Sequence, residues 1–223
     1  MSRDQQNEVP IAEPLPRGRH GLSPETVRSS QRERLIEAML QLVARRGYAA
    51  TTVPDVIAAA RVSRNAFYQQ FADKEACFLA LCERDLPELI EEIRTAAAAP
   101  DDWRAANLRG LRAYLRWWQG RPAYAQAYFV ELPRAGERAV AQRDRAYHPF
   151  VGMVTAMAAR ARQADPALPP LPATTARLIV YGVTAFVEAE VREGRVTGLL
   201  SWADDLQDYM VTLLTAVRTG PGS

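Results

Sequence analysis

The chain has 223 residues, of which 48% are hydrophobic and 24% charged, proportions typical of a globular protein with a sizeable core. No run reaches the roughly 18–20 apolar residues of a membrane-spanning helix, and the start lacks the apolar stretch of a secretion signal. We therefore expect a cytoplasmic protein with no membrane partner. The net charge is +2, but residues 17–75 hold ten basic and six acidic side chains, an excess that indicates an anionic partner there.

The composition argues against a metalloenzyme or a hydrolase. Two cysteines, Cys77 and Cys82, are too few for a disulfide framework or a zinc cage, and the chain has only two histidines. The aspartate pair at 101–102 lacks a further carboxylate one helical turn on, and helix capping explains both this pair and the pair at 204–205. We predict no catalytic residue, no metal ligand and no cofactor.

Residues 1–22 are rich in proline, glycine and charge and show no apolar periodicity, which predicts a flexible basic arm. Arg17 and Arg19 lie just before the first predicted helix, where a basic segment can enter a minor groove of DNA. We therefore take both as candidate DNA contacts. A tail that only helps solubility is an equal alternative.

The first predicted helix begins at Ser23 and Pro24, because serine caps helices and proline suits their first turn. It ends at Gly47, after two arginines in the last turn. Its apolar positions follow the spacing of one helical face. The residues of this predicted buried stripe are Leu35, Ala38, Met39, Leu42 and Val43.

Two short helices joined by a tight turn are predicted next, the first at 51–60 and the second from Ser63 to about Phe71. A longer helix from Lys74 to about residue 99 follows them. This order predicts a helix-turn-helix DNA-binding domain at 23–72. The side chains expected to face outwards from the second short helix are Ser63, Arg64, Asn65, Tyr68 and Gln69.

These outward residues suit DNA chemically. Arg64 can fork onto guanine and Asn65 can bond adenine, while Tyr68 and Lys74 can reach phosphates. The alternative function is an all-helical, protein-binding adaptor without specific DNA recognition, which has no use for these exposed side chains.

The segment from Arg34 to Leu81 resembles the DNA-binding domain of TetR/AcrR-type transcriptional regulators. The resemblance covers about a fifth of the chain. The residues that match the family's spacing are Gly47, Tyr48, Thr51, Thr52, Val53, Val62, Ser63, Phe67, Tyr68, Phe71, Lys74 and Glu75.

The resemblance implies an all-α fold for the whole chain, and it implies which residues would contact DNA. Thr52 and Tyr68 would contact phosphates, Arg64 and Asn65 would face bases, and Lys74 would lie against the DNA backbone. It also implies a ligand-responsive DNA-binding regulator, most often a repressor released from a palindromic operator by a small effector.

One position departs from the family pattern. Arg61 stands in the turn between the two short helices, where the family usually has glycine. Either this turn avoids a positive φ, or Arg61 carries a small strain there.

Residues 73–219 are predicted to form an effector-binding and dimerisation domain of further helices, for about nine helices in the whole chain. The helix at about 173–192 carries a wide apolar face. The last helix, at about 202–218, has an apolar stripe at near-heptad spacing, formed by Leu206, Met210, Leu213, Leu214 and Val217. These faces predict a homodimer built from the last two helices, as the family resemblance also implies. The alternative is that both faces only close one core.

Between these regions the chain is rich in aromatic residues and methionine, which are more often core than ligand contacts. The family resemblance implies an effector pocket among these helices, and such walls suit a small lipophilic molecule. Its predicted lining is Trp117, Tyr128, Phe129, Met153 and Phe186. The candidates for orienting a polar end of the effector are Arg112, Arg116 and Glu131.

Overall fold

The computed structural model describes residues 23–98 and 102–215, and every regular element among them is helical. In this part of the chain nine α-helices have seven residues or more, so the predicted all-α fold is confirmed. Arg17 and Arg19, with the whole predicted arm, lie outside the described residues, and their contact with DNA stays a prediction.

The helices follow one another with short connections. The nine are α1 (Pro24–Arg46), α2 (Val53–Ala60), α3 (Arg64–Gln70), α4 (Lys74–Ala97), α5 (Trp103–Gln119), α7 (Glu137–Ala146), α8 (His148–Ala164), α9 (Ala173–Arg192) and α10 (Ala203–Thr215). A single turn, α6 (Pro122–Ala125), continues into a π-helix (Gln126–Glu131) and a 3-10 helix (Leu132–Arg134). A second 3-10 helix, Val196–Trp202, precedes α10.

The described residues pack as two units. Unit 1 holds residues 23–85 and 123–142, and unit 2 holds the remaining described residues. The boundary between them divides α4 after Asp85. The domain boundary between residues 72 and 73 stays a prediction.

The ends of α1 follow the local rules that predicted them. The Thr26 backbone N–H donates to Ser23 Oγ (3.1 Å), and Gly47 ends the helix with a φ of +82°. The buried face is wider than the predicted stripe. Leu42 is only half-buried, whereas Ile36 and Leu40 are buried with the other predicted positions.

The turn between α2 and α3 contains the non-glycine residue with a positive φ in the described chain, Arg61 (φ 52°, ψ 47°). Of the two possibilities left open by the sequence, the strained one is therefore correct. The turn is supported from α1 by the buried side chain of Arg34, whose Nη1 donates to the carbonyl of Ala60 (3.0 Å). A cation at the last carbonyls of α2 also matches the negative end of its dipole.

Unit 2 is built on α5, α8, α9 and α10, and aromatic side chains fill its core. Trp117 and Trp118 are buried edge to face, with ring centroids 4.9 Å apart. The buried amides of Asn107 and Gln207 bond one another between α5 and α10, and Gln207 also donates to the carbonyl of Arg104 (2.9 Å). The two buried amides are therefore satisfied from within the unit.

The wide apolar face of α9 divides into two. Ile179, Val183 and Val187 are buried in unit 2, whereas Leu178 is 56% exposed and Tyr181 is 36% exposed. Most of the apolar stripe predicted on α10 is also buried within the subunit, at Leu206, Met210 and Leu214. An inner face thus closes the core, and a separate outer strip remains on α9.

Within residues 23–98 and 102–215, the helices are too short or too polar to span a bilayer. Nor does this part of the chain bring three His, Cys, Asp or Glu side chains together as a metal site would require.

Both cysteines are buried in unit 1, and this burial raises the pKa of each thiol to about 12. Very little of either thiol is then ionised at pH 8. We expect native protein to show no reaction with Ellman's reagent at pH 8, and Cys77 and Cys82 to react together after denaturation in guanidinium. Rapid modification of either thiol in native protein would show that the site opens to solvent.

The strain at Arg61 predicts the effect of glycine there. Arg61→Gly should raise the free energy of unfolding by about 0.5–1 kcal/mol, because the left-handed conformation carries no Cβ penalty in glycine. Urea denaturation measures the difference. The matched control is Ala58→Gly, at an exposed helical position of α2, which should lower stability by about 1 kcal/mol. Equal losses in both variants would contradict the prediction.

Candidate nucleic-acid interface

The predicted contact face lies on α3. Ser63 caps the helix, since its Oγ accepts the backbone N–H of Ala66 (3.1 Å), and the side chains of Ala66 and Phe67 are buried. The opposite side of the helix faces solvent. All five side chains predicted to face outwards are exposed, namely Ser63, Arg64, Asn65, Tyr68 and Gln69.

Arg64 and Tyr68 lie one helical turn apart and contact each other. The Arg64 guanidinium lies over the Tyr68 ring, 5.4 Å from its centroid, and the ring packs edge-on against Phe67 (5.3 Å). Tyr68 nevertheless keeps 47% of its surface exposed. The stacked arginine is therefore held near the exposed face while its donor nitrogens remain available to a ligand.

Thr52 caps α2 with a reciprocal pair of bonds. Its Oγ accepts the backbone N–H of Asp55, whose carboxylate in turn accepts the Thr52 backbone N–H (3.0 Å) and the hydroxyl. These bonds hold the pKa of Asp55 below its usual range, and Arg46 pairs with the same carboxylate (2.5 Å). Thr52 is exposed, but its hydroxyl is engaged. Its predicted phosphate contact stays a prediction.

Lys74, the single lysine of the chain, is engaged inside unit 1. Its Nζ donates to the carbonyls of Tyr48 (2.9 Å) and Thr51 (3.0 Å) and lies 3.9 Å from the centroid of the Tyr48 ring. Partial burial lowers the pKa of its ammonium. Lys74 thus fastens the loop between α1 and α2. The DNA contact expected of it stays a prediction.

Two residues support this interface in roles that sequence reasoning missed. Arg34 holds the end of α2, and Glu131 accepts the backbone N–H of Tyr48. Their partners lie 26 and 83 residues away, so no local pattern marks them. A charged residue inside an otherwise apolar helix face was the available signal for Arg34.

The five residues predicted to line an effector pocket fall in both units. Tyr128 and Phe129 are buried in unit 1, on the π-helix. In unit 2, Trp117 is buried, whereas Met153 and Phe186 are half-buried. Their role in effector binding stays a prediction.

Comparison with known proteins agrees with this geometry. Residues 35–81, which contain the helix-turn-helix, match the family described as bacterial regulatory proteins, tetR family. The HTH-type transcriptional repressor Rv1474c of Mycobacterium tuberculosis is 31% identical over 133 residues, which cover 52% of this chain and 71% of that protein. The regulator YerO of Bacillus subtilis is 38% identical over 55 residues, 25% of this chain but only about a fifth (19%) of YerO.

Solved structures share the fold over most of the chain. The fatty acid degradation regulator FadR of Bacillus halodurans superposes with a TM-score of 0.73 at 15% identity, covering 84% of this chain and 96% of that one. FadR of Bacillus subtilis, solved in complex with stearoyl-CoA, gives a TM-score of 0.71 at 15% identity, covering 82% and 98%. Helix order, the capped helix pair and the identity to the mycobacterial repressor agree, and this chain belongs to the TetR family of bacterial transcriptional regulators.

Proposed function

We propose that the protein is a cytoplasmic, ligand-responsive repressor that binds a palindromic DNA operator as a homodimer and leaves it when a small lipophilic effector binds. The observation that carries this proposal is the exposed face of α3, on which Arg64, Asn65 and Tyr68 present polar groups to solvent. The name of the mycobacterial relative, a transcriptional repressor, supports the sign of the regulation.

The exposed residues of α3 suit two kinds of DNA contact, to bases and to the phosphate backbone. Arg64 and Asn65, next to each other in the first turn, have the donors and acceptors that read guanine and adenine in the major groove. Tyr68 and Gln69 follow one turn later and suit the phosphate backbone, which positions a protein without reading sequence. Two copies of α3 about 34–36 Å apart would read successive major grooves of a palindrome.

A dimer would be formed through the outer strip of α9. Thr174, Leu178, Tyr181 and Ala185 fall at alternating spacings of four and three residues, as in a helix–helix seam, and three of them are exposed apolar or aromatic residues. Tyr209 on α10 adds a further exposed ring. Exposed apolar side chains grouped in this way are typical of a surface that a second copy covers.

The response to effector would travel along α4. This helix is continuous through the boundary of the two units, and Pro87 lies inside it just after that boundary. Proline has no N–H to donate to the carbonyl of Glu83, so α4 bends most readily there. An effector that favours the bent helix would lower operator affinity by its differential binding, typically about 1–3 kcal/mol.

FadR of Bacillus subtilis has the same fold and was solved with an acyl-CoA. For this chain we propose the effector only by class, a small lipophilic molecule, because the candidate lining consists of four aromatic residues and one methionine.

Fluorescence anisotropy with the gene's own upstream DNA tests the proposed recognition. Arg64→Ala should raise the operator Kd about 10–100-fold and relax sequence preference, because a forked contact to guanine discriminates by about 1–3 kcal/mol. Tyr68→Phe should weaken operator and scrambled DNA alike, by about three- to tenfold, since it loses one hydrogen bond to phosphate.

Arg145→Ala is the matched control, because it removes an exposed arginine from α7 and should leave the operator Kd within about twofold. The assay is run at two salt concentrations. Weak binding that ignores sequence and vanishes with salt would contradict the proposal and favour a protein-binding adaptor.

Leu178→Glu should convert the dimer to a monomer, because it places a charge in the centre of an apolar seam. Light scattering after size-exclusion chromatography should give 24.8 kDa for the variant and twice that mass for the wild type. The matched control is Val140→Glu, at an apolar position of α7 that is 37% exposed, which should stay dimeric. A dimeric Leu178→Glu variant would place the interface elsewhere.

A further inference from the structure

Glu131 is a buried carboxylate with both oxygens engaged. Its side chain lies at the end of the π-helix, and the residue is only 8% exposed. Oε2 accepts the backbone N–H of Tyr48 (2.8 Å), and Oε1 pairs with Arg134 (3.1 Å). A carboxylate taken out of water in this way is tolerated because both oxygens have donors.

Gly47 makes this approach possible. A Cβ at position 47 would lie 3.1 Å from Glu131 Oε2, closer than ordinary contact, and the φ of +82° also favours glycine. The C-terminal glycine of α1 therefore ends the helix and admits the carboxylate to the backbone beside it. Glycine at position 47 thus meets two requirements, the positive φ at the end of α1 and the close approach of the Glu131 carboxylate.

The loop from Gly47 to Thr52 is held at a second point by Lys74. The Tyr48 backbone thus donates its N–H to an anion from one distant segment and presents its carbonyl to a cation from another. The Tyr48 ring stacks on Phe78, with centroids 5.1 Å apart. The partners come from two elements, Glu131 from the π-helix and Lys74 and Phe78 from α4, so the loop is held from both.

The position of this loop sets the position of the DNA-contacting helices. The loop leads directly into Thr52, the cap of α2, and α2 is joined to α3 by the strained turn at Arg61. Neither short helix is stable alone, so both follow the segments that anchor them. A loop released from Glu131 would carry α2 and the contact face of α3 away from their operator-binding positions.

We propose that Glu131 is a positioning residue for operator binding, acting through the backbone of Tyr48. The proposal rests on the proposed function as an operator-binding regulator. Glu131 does not touch DNA in this scheme. Its carboxylate fixes the α1–α2 loop, and the π-helix that ends at Glu131 determines whether the carboxylate reaches that loop.

The test compares two substitutions of nearly equal size. Glu131→Gln keeps an oxygen that can accept the Tyr48 N–H, whereas Glu131→Met offers no comparable acceptor. Arg134→Ala removes the ion pair but leaves the Tyr48 bond intact. Glu137→Ala, at an exposed acidic position of α7, is the matched control for charge.

Three quantities are measured for each variant: the operator Kd by anisotropy, the exchange rate of the Tyr48 amide by NMR, and the Tm. We expect Glu131→Met to raise the operator Kd about tenfold and to speed exchange of the Tyr48 amide by a similar factor. Both quantities are measured at a temperature well below the Tm of the variant, where the protein is folded. Glu131→Gln should stay within about threefold of wild type, and Arg134→Ala and Glu137→Ala within about twofold.

The outcomes separate the possibilities. A folded Glu131→Met variant with the wild-type operator Kd would overturn the positioning role, even with a lower Tm. Equal losses in Glu131→Met and Arg134→Ala would assign the effect to the ion pair and overturn it too. If Glu131→Met does not fold, Gly47→Ala is used instead, because a Cβ at position 47 displaces the Glu131 carboxylate from the loop. This variant must then raise the operator Kd. Wild-type protein without selective DNA binding would refute the proposed function itself.

Discussion

The contact helix α3 has seven residues and persists only because two of its side chains are buried. Ala66 and Phe67 supply that anchor, and the Phe67 ring also packs against Phe71 with centroids 5.8 Å apart. Arg64, Asn65 and Gln69 are exposed and contribute little to this packing. The exposed face can therefore be specialised for a ligand without loss of the fold.

Charged side chains fasten the segments around this helix where hydrophobic burial is insufficient. Arg34 and Lys74 direct their cationic groups at backbone carbonyls, and partial burial lowers the pKa of both side chains. Arg138 similarly pairs with Asp73 and Glu75 at the start of α4. Each of these contacts pairs a polar group at a helix end or in a loop, so hydrogen bonds and ion pairs help to define the structure of unit 1 together with its apolar core.

Local signals in the sequence predicted much of this arrangement. Ser23, Thr52 and Ser63 cap their helices, and the outward face of α3 is the predicted one. These features depend on residues a few positions apart in the chain, so the local sequence pattern is enough to predict them. The spacing of the motif residues between Arg34 and Leu81 also indicated the family, which the comparisons confirm.

The remainder depends on contacts between distant segments. The carboxylate of Glu131, read from the sequence as a candidate for effector binding, is engaged with Tyr48, 83 residues away along the chain. Periodicity likewise predicted a wide apolar face on α9 but could not divide it into a buried half and an exposed half. The π-helix at 126–131 has no established sequence signal, because its apolar residues fit an α-helix equally well.

That π-helix has a consequence for comparing this chain with its relatives. Each of its turns holds more residues than an α-helical turn, so the segment contains a residue in excess of α-helical register. A homologue with an uninterrupted α-helix here needs one residue fewer to join the same flanking helices. An ungapped alignment through 122–134 would then shift Glu131 by one position, which turns a side chain by about 100° around the helix axis. Carboxylates equivalent to Glu131 in the family should therefore be identified from superposed structures rather than from the columns of a sequence alignment.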